Sequence, residues 1–299
     1  MPEPVRVLLT GRHGQLGQAL LASVPAGIDL IAMGRDDLDL ADPAACRAAV
    51  HRHRPDWVLN AGAYTAVDRA ESEPELAEAV NAGAPGAFAE ALAESGGRLL
   101  QVSTDFVFDG EQGRPYAPEQ ALAPLGVYGA TKAEGERRAA AALGADRLCL
   151  LRTSWVYGPV GANFCLTMLR LHRAKAAAGE PLKVVADQVG CPTATAGLAQ
   201  ACWRVIGRGV SGRHHWSDCG AASWYDFAVA IGMLAAARGL IYTPARVLPI
   251  TTADYPTPAR RPSYSLLDGT TTRHALDLEG QHWQAALAEV LARIPLPQA

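Results

Sequence analysis

The sequence predicts an α/β fold, with a doubly wound parallel sheet and a smaller, irregular α/β lobe. In the first half of the chain, short apolar runs of strand character alternate with helical stretches. Such alternation implies parallel strands joined by right-handed crossovers. A glycine-rich turn follows the first apolar run. Beyond about residue 152 the alternation ends, and segments rich in aromatic residues and proline take its place.

The elements of the first half are predicted from apolar runs and helix-capping residues. The run 5–10 (VRVLLT) is typical of a strand buried on both faces. The aspartate and proline at 42–43 are typical of a helix cap followed by proline in the first turn. Strands are predicted at 5–10, 29–33, 57–60, 98–103 and 147–152, and helices at about 19–24, 43–53, 74–94 with a break near 83–85, and 128–143.

The composition is that of an ordinary folded protein and excludes several classes of partner. The formal net charge is -3 over 299 residues, and arginine and lysine are scattered, so no nucleic-acid-binding surface is expected. No apolar run approaches the roughly 18 residues that span a bilayer. Residues 1–4 lead into a strand without the features of a signal peptide. We therefore expect a cytoplasmic protein that binds neither nucleic acid nor membrane.

Cysteine and histidine do not form a predicted metal site. The six cysteines are widely spaced and include no CxxC pair, so in a reducing compartment we expect them to be small buried hydrophobic residues. His214 and His215 are adjacent, and neighbouring side chains of a strand point to opposite faces. We expect these two histidines in a sheet segment of the second lobe.

Gly11, Gly14 and Gly17 form a GxxGxxG pattern between a strand and a helix. Gly11 permits a tight turn, Gly14 lets the backbone approach a pyrophosphate, and Gly17 lets the helix pack closely on the strand. Phosphates then meet free N–H groups at the positive end of the helix. The glycines alone leave open a tight turn without a ligand, but their placement favours a bound dinucleotide.

The end of the second strand should reach the adenosine ribose of such a dinucleotide. An acidic residue there binds the 2′-hydroxyl of NAD, whereas an arginine pairs with the 2′-phosphate of NADP. Arg35 therefore favours NADPH as the cofactor, and Asp36 and Asp39 keep NADH possible. Alternatively, Arg35 is an ordinary surface charge.

Tyr128 and Lys132 form a YxxxK pair, and residues four apart share one face of a helix. A phenol with a pKa of about 10 is a poor acid at neutral pH, and a nearby ammonium group should lower that pKa. Ser103 and Thr104 end a predicted strand, where Thr104 can hydrogen-bond both a carbonyl oxygen and Tyr128. Alternatively, the two hydroxyls cap a turn, but the order of the three motifs favours a carbonyl reductase.

In this order, the motifs resemble the extended short-chain dehydrogenase/reductase family, and within it the dTDP-4-dehydrorhamnose reductases. The resemblance covers residues from about 5 to 265, and the segments RTSWVY and PTPARRP are far more specific than the glycine turn. It rests on GQLG (14–17), NAGAYTAVD (60–68) with AE (70–71), STDFVFDG (103–110), VYG and TK (127–132), RTSWVY (152–157), DQ (187–188) with PT (192–193), and YPTPARRP (255–262).

This resemblance implies NAD(P)H-dependent reduction of the 4-keto group of dTDP-4-dehydro-L-rhamnose to dTDP-L-rhamnose. Tyr128 would donate the proton, Lys132 would act as its electrostatic partner, and Thr104 would tune the tyrosine. The implied cofactor-binding residues are Gly11, Gly14, Gln15, Leu16, Gly17, Arg35, Asp39, Leu40, Ala63, Tyr64, Thr65, Tyr128 and Lys132. The implied substrate-binding residues are Val67, Thr104, Asp105, Tyr128, Trp155 and Arg260.

The chemistry of the implied sugar-binding residues agrees with these roles. Trp155 offers a flat apolar face to a methylated ring, and Asp105 offers acceptors for hydroxyl groups. Alternatively, Trp155 is an aromatic residue of the core. Arg260 and Arg261 either meet the nucleotide diphosphate or tie the second lobe together.

The sequence departs from the family in its carboxylates. Some members form dimers around Mg²⁺ held by glutamates, one of them on the helix after the glycine turn. Here that helix contains QAL (18–20), and the segment after PT (192–193) contains ATAG, whereas Mg²⁺ requires oxygen ligands. We expect no Mg²⁺ site, and a monomer or weak dimer rather than the Mg²⁺-bridged dimer.

The change in sequence pattern after about residue 152 predicts two domains. Residues 1–155 are expected to form a Rossmann-like NAD(P)-binding domain, to which segments near 183–205 and 246–251 can return. Residues 156–299 are expected to form mainly the nucleotide-sugar-binding lobe.

Two other classes of protein remain as alternatives. A sugar 4-epimerase or 4,6-dehydratase shares the fold and YxxxK, but a dehydratase needs a further carboxylate where this chain has Asp105-Phe106. A non-catalytic regulatory subunit would retain the fold, but such proteins usually lose the tyrosine or the lysine, and this chain has both.

Overall fold

The structure is a computed structural model and describes residues 3–296. In chain order, the strands of the described residues are β1 (Val5–Thr10), β2 (Ile28–Met33), β3 (Trp57–Asn60), β4 (Arg98–Thr104), β5 (Leu148–Thr153), β6 (Val156–Tyr157), β7 (Leu182–Val185), β8 (Val189–Gly190), β9 (Thr193–Ala194), β10 (Gly212–His215), β11 (Ala222–Ser223) and β12 (Val247–Ile250). The helices are α1 (Gln15–Leu21), α2 (Pro43–His53), α3 (Val67–Ala70), α4 (Pro74–Glu78), α5 (Ala84–Ser95), α6 (Val127–Leu143), α7 (Phe164–Ala178), α8 (Thr195–Arg208), α9 (Trp224–Ala237), α10 (Thr270–Leu276) and α11 (Trp283–Ala292).

The predicted doubly wound parallel sheet is confirmed. Six strands form the main sheet in the order β10-β5-β4-β3-β1-β2, and every neighbouring pair is parallel. The order reverses between β1 and β3, which creates the crevice where such sheets bind ligands.

The main sheet is buried on both faces because consecutive apolar side chains of each strand point to opposite faces. Val7 and Leu9 contribute to a core with α1 and α8, whereas Leu8 contributes to a core with α2, α5 and α6. The predicted cap of α2 is also present, since the Asp42 carboxylate accepts hydrogen bonds from the N–H groups of Ala44 and Ala45 at 2.8 and 3.1 Å.

The second lobe has its own core of helices α7, α9 and α11 with β7. α8 packs against α1 on the main sheet, but β7 and β12 do not join that sheet. Instead, they pair with each other in a separate two-stranded parallel sheet.

The prediction that His214 and His215 lie in the second lobe is wrong. They belong to β10, which pairs with β5 at the edge of the main sheet, with His215 opposite Arg152. The physical reason is a crossover: α8 packs on one face of the sheet and leads the chain to the free edge of β5.

The cysteines are free, as predicted, and all except Cys219 are buried. No helix within residues 3–296 is both long and apolar enough to cross a membrane.

Candidate active site

The structure brings the predicted motifs together at one edge of the main sheet. The glycine turn follows β1, the segment 63–65 follows β3, and Thr104 ends β4. The helix α6 begins at Val127 and contains both Tyr128 and Lys132. Because the strands are parallel, their carboxyl ends meet at the crevice beside the reversal of strand order.

The glycine turn has the backbone geometry that the sequence predicts. Gly11 has a φ of +72°, in the left-handed region that favours glycine. A Cβ on Gly11 would lie 2.8 Å from the Cα of Gly62, and a Cβ on Gly17 would overlap the Gly11 carbonyl oxygen. Gly14 is the N-cap residue of α1 and has no side chain with which to cap it, so the turn leaves room for an anionic ligand. Leu16, inside this turn, is buried beneath it.

A contact that the sequence did not predict joins the glycine turn to the second lobe. Asn163 donates from Nδ2 to Oε1 of Gln15 at 2.8 Å, and Gln15 donates from Nε2 to the Ala162 carbonyl at 3.3 Å. Asn163 also caps α7 by accepting from the Leu166 N–H at 2.9 Å. The segment before α7 therefore lies against the cofactor crevice.

The end of β2 contains both basic and acidic groups. Arg12 lies 3.0 Å from the Asp37 carboxylate through Nη1, and the same carboxylate accepts from the Gly34 N–H at 2.8 Å. The His13 ring packs on Gly34, where a Cβ would lie 2.5 Å from its Cδ2. Arg35 is exposed next to this group. Sequence reasoning missed Arg12 and Asp37, which meet only through the fold.

Asp39 and Leu40, the other residues predicted at the adenosine end, have different environments. Asp39 is exposed and accepts from the Ala41 N–H at 2.9 Å within a turn. Leu40 packs against Gly62, where a Cβ would lie 2.5 Å from its Cδ1. Leu40 thus lines the crevice, whereas the Asp39 carboxylate caps its own turn.

The segment containing Ala63, Tyr64 and Thr65 is fixed by a buried asparagine. Asn81 accepts from the Tyr64 N–H at 2.9 Å and donates to the Tyr64 carbonyl at 3.0 Å. It also donates to the Thr131 hydroxyl on α6 at 3.2 Å. Asn81 lies in a π-helical turn, 79–83, just before the break predicted near 83–85; the chain stays helical from α4 through this turn into α5. Such turns are frequent at functional sites.

Tyr128, at the start of α6, and Thr104, at the end of β4, both lie at the crevice. Burial and the charge of Asp105 raise the pKa of Tyr128 to about 12, and the interaction with the Thr104 hydroxyl opposes this shift. The Phe106 ring meets the phenol edge-on at 5.5 Å between centroids. The phenol is therefore held as a neutral hydroxyl.

The prediction that Lys132 lowers the pKa of Tyr128 is wrong for the free protein. Lys132 is buried and donates from Nζ to the Val102 carbonyl at 2.8 Å. Burial lowers the pKa of Lys132 itself to about 8, opposed by the charge of Glu136. In the free protein the Tyr128 phenol therefore carries its proton, and a nearby positive charge would be needed to bring its pKa closer to the working range.

Asp105 presents an unpaired carboxylate oxygen in this site. Its Oδ1 accepts from the Thr104 hydroxyl at 2.9 Å, and its Oδ2 has no hydrogen-bond partner among residues 3–296. Burial raises the pKa of Asp105 to about 6, and the interactions with the Ser265 and Thr104 hydroxyls oppose this shift. A buried acceptor without a partner fits a ligand hydroxyl.

Trp155 is held in an unusual conformation at the end of β5. Its φ is +46°, which is rare for a bulky residue and often marks a functional site. Its indole stacks on that of Trp224, with centroids 3.5 Å apart and planes 7° apart. A Cβ on Gly190 would lie 2.7 Å from the Trp155 indole and 2.9 Å from the Ser265 hydroxyl. Trp155 is partly exposed and packs at the edge of the second-lobe core, and sequence reasoning missed its partner Trp224.

The two arginines of the PTPARRP segment have different positions. Arg261 forms two hydrogen bonds with the Asp68 carboxylate, at 2.9 and 3.0 Å, and so ties this segment to α3. Arg260 is 69% exposed and lies 3.8 Å from Glu111. Val67, predicted to pack near the sugar, begins α3 next to Asp68. The two alternatives for these arginines were contact with the diphosphate and a structural link, and the structure contains the link for Arg261.

Comparison with known proteins agrees with this site. The family model described as the RmlD substrate binding domain matches residues 5–295. The chain belongs to the RmlD family. That match extends over both the main sheet and the second lobe, so the family assignment covers the whole described site.

Individual relatives of this RmlD-family chain are similar along nearly their whole length. It is 42% identical to a dTDP-4-dehydrorhamnose reductase of Streptomyces griseus, over 96% of this chain and 93% of that protein. It is 40% identical to a Streptomyces antibioticus protein described as a probable dTDP-4,6-dihydroxy-2-methyloxan-3-one 4-ketoreductase, over 97% and 96%. A crystal structure of dTDP-4-dehydrorhamnose reductase from Bacillus anthracis in complex with NADP superimposes with a TM-score of 0.89, at 32% identity, over 97% and 99% of the two chains.

Within residues 3–296 of this RmlD-family chain, no group of three or more histidine, cysteine, aspartate or glutamate side chains could hold a metal ion. The expectation that it lacks a Mg²⁺ site stays a prediction.

Proposed function

We propose that this protein reduces the 4-keto group of dTDP-4-dehydro-L-rhamnose to give dTDP-L-rhamnose, with NADPH as the reductant. The observation that supports this most strongly is the meeting of Tyr128 and Lys132 of α6 with Thr104 of β4 at the carboxyl ends of the parallel strands, beside the glycine turn. Tyr128 is neutral, so it has a proton to donate to a carbonyl oxygen. Thr104 is buried beside it. Relatives named as dTDP-4-dehydrorhamnose reductases support the choice of substrate.

The crevice fits a dinucleotide. The backbone packs closely at Gly11 and Gly17, and the start of α1 at Gly14 has no capping side chain, so a pyrophosphate can approach the backbone there. Gln15, Ala63, Tyr64 and Thr65 would line the dinucleotide, and Lys132 would bind the nicotinamide ribose. When bound, NADPH supplies the hydride. The relative from Bacillus anthracis that was crystallised with NADP supports this choice of cofactor.

The residues of this chain would then position the sugar and supply the proton. Thr104 and Tyr128 hydrogen-bond the C4 carbonyl oxygen, and the Tyr128 hydroxyl gives its proton to that oxygen as C4 is reduced. The orphaned oxygen of Asp105 accepts a sugar hydroxyl. The stacked indole of Trp155, together with Val67, presents an apolar face to the methyl group of a 6-deoxy sugar.

The remainder of the substrate is assigned to the second lobe. Arg260 is exposed, with Glu111 3.8 Å away as its partner, and would turn to meet the diphosphate. We infer a division into a cofactor-binding part, residues 1–155 with α8 and β10, and a nucleotide-sugar-binding part formed mainly by residues 156–299. Without a Mg²⁺ site, the protein would be a monomer or a weak dimer.

The substrate is tested by the rate of NADPH oxidation at 340 nm with two sugars, dTDP-4-dehydro-L-rhamnose and the dTDP-linked 4-ketosugar named for the Streptomyces antibioticus relative. We expect kcat/KM to be at least about tenfold higher with the first sugar. If the second sugar were preferred, the substrate assignment would be wrong, but the assignment of an NADPH-dependent 4-keto reduction would stand. No oxidation with either sugar, by protein shown to bind NADPH, would overturn the proposed function.

The choice of cofactor is tested at the end of β2. Because Arg12 and Arg35 would pair with the 2′-phosphate, R12Q and R35Q should each lower kcat/KM for NADPH by about tenfold or more, the worth of a charged hydrogen bond. The value for NADH should change little. R52Q, on the exposed side of α2, is the matched control. An equal loss with both cofactors would contradict 2′-phosphate recognition by these arginines.

A further inference from the structure

A fully buried ion pair lies behind the catalytic helix, and no step above uses it. Arg152 on β5 contacts Glu136 on α6 through Nη2 to Oε2 at 2.6 Å and Nε to Oε1 at 2.9 Å. The two side chains are 2% and 3% exposed. The Ser103 hydroxyl donates to Oε1 of Glu136 at 2.6 Å. The Glu136 carboxylate is therefore held in place by donors from both β4 and β5.

The third nitrogen of the Arg152 guanidinium, Nη1, also has partners. Its Nη1 donates to the Pro118 carbonyl at 2.8 Å and lies 3.2 Å from Nε2 of His215. His215 places Nδ1 3.0 Å from the Tyr116 carbonyl. Burial, together with the Arg152 charge, lowers the pKa of His215 to about 3. A neutral His215 therefore donates from Nδ1 to Tyr116 and accepts from Arg152 at Nε2.

Stability alone does not account for this network. Because both charges must be desolvated, a buried ion pair is often no more stabilising than a well-packed apolar pair. Glu136 lies four residues after Lys132, on the same face of α6. Lys132 is itself 4% exposed and donates to the Val102 carbonyl. The network thus fixes the Glu136 carboxylate on the face of α6 where the Lys132 ammonium group is buried.

The charged and titratable groups around Lys132 and Glu136 come from several elements. Burial lowers the pKa of Lys132, and the charge of Glu136 opposes that shift. The ionisable side chains that surround the network are Tyr128 on α6, Asp105 after β4, Arg152 on β5, His215 on β10 and Asp268 before α10. Tyr128 and His215 are neutral near pH 7, and Glu134, two residues after Lys132, is paired with Arg138. Glu136 is therefore the buried negative charge one helical turn after Lys132 on the same face of α6.

We propose that Glu136, fixed by Arg152 and Ser103, is a positioning residue that keeps Lys132 protonated and in place one turn after Tyr128. This rests on the proposed reductase function, because a charged Lys132 is useful there for binding the nicotinamide ribose. Without the Glu136 charge, Lys132 loses its proton at lower pH. The pH above which activity falls then decreases together with the pKa of Lys132.

The test is a direct titration of Lys132, and it requires no sugar substrate. Lysine occurs only as Lys132, Lys175 and Lys183, so protein labelled with ¹³C at lysine Cε gives a spectrum of three signals. Loss of one signal in K132R assigns Lys132. We expect a midpoint near pH 8 in the wild type and a midpoint lower by about one unit or more in E136Q. E134Q, on the same helix but paired with Arg138 at the surface, should leave the midpoint unchanged.

An unchanged Lys132 midpoint in folded E136Q would overturn the proposal. If E136Q does not fold, the variant E136L/R152M replaces the ion pair by an apolar pair, which buried sites tolerate. Its midpoint should also be lower, and an unchanged midpoint would again overturn the proposal. In either variant, the alkaline limb of kcat/KM should move together with the midpoint, which a purely structural role would not produce. Because the titration is independent of turnover, its failure is distinguishable from failure of the proposed function.

Discussion

Replacing Tyr128 by phenylalanine should lower kcat by about a hundredfold or more, the usual contribution of a general acid. Burial raises the pKa of the phenol to about 12, so it carries its proton near neutral pH. Phenylalanine retains the ring that packs against Phe106 and removes only the proton donor. The measurement is steady-state NADPH oxidation with dTDP-4-dehydro-L-rhamnose.

The dissociation constant of NADPH separates loss of chemistry from loss of binding. We expect Y128F to bind NADPH within a few-fold of the wild type, because one hydroxyl is a small part of the cofactor site. Y242F, at a fully exposed position, is the matched control and should have wild-type activity. If Y128F kept activity within about tenfold of the wild type, Tyr128 would not be the proton donor.

Removing one partner of the buried ion pair should strongly destabilise the fold. In R152M, the Glu136 carboxylate remains buried with the Ser103 hydroxyl as its remaining donor. We expect the free energy of unfolding to fall by about 3–5 kcal/mol, which is typical when a buried charge loses its partner. Urea denaturation followed by tryptophan fluorescence measures this loss as a lower midpoint.

The double variant E136L/R152M distinguishes an unpaired charge from lost packing. It removes both charges, so its unfolding free energy should lie within about 1–2 kcal/mol of the wild type or above it. If R152M alone were as stable as the wild type, or if the double variant were as unstable as R152M, the pair would not act as a buried ion pair.

The main sheet was predictable because its strands are buried on both faces. Such strands are short continuous apolar runs, and the predicted ranges 57–60 and 5–10 match β3 and β1 at both ends. β10 has the sequence GRHH, which contains no apolar run, and only its pairing with β5 makes it a strand. The strands β6, β8, β9 and β11 have two residues each, too few for any periodicity.

The candidate site was predictable where its residues are close in sequence. YxxxK and GxxGxxG are local patterns, and the structure brings both to one crevice. Arg12 and Asp37 meet only because β1 and β2 are neighbours. The pKa of Tyr128 was predicted to be lowered, but it is raised in the free protein. The pKa of a phenol depends on burial, and sequence spacing does not reveal how deeply a side chain is buried. Glu136, four residues after Lys132, was detectable in principle, but its partner Arg152 becomes apparent only through the pairing of β4 and β5.

Transfer of deuterium from the cofactor to the sugar tests the central claim most directly. NADPH dideuterated at C4 of the nicotinamide is incubated with dTDP-4-dehydro-L-rhamnose, and the product is analysed by NMR and mass spectrometry. A reductase gives one deuterium at C4 of the sugar and one NADP⁺ for each sugar converted. A product that is epimerised or dehydrated without net oxidation of NADPH, or one without deuterium at C4, would contradict the account.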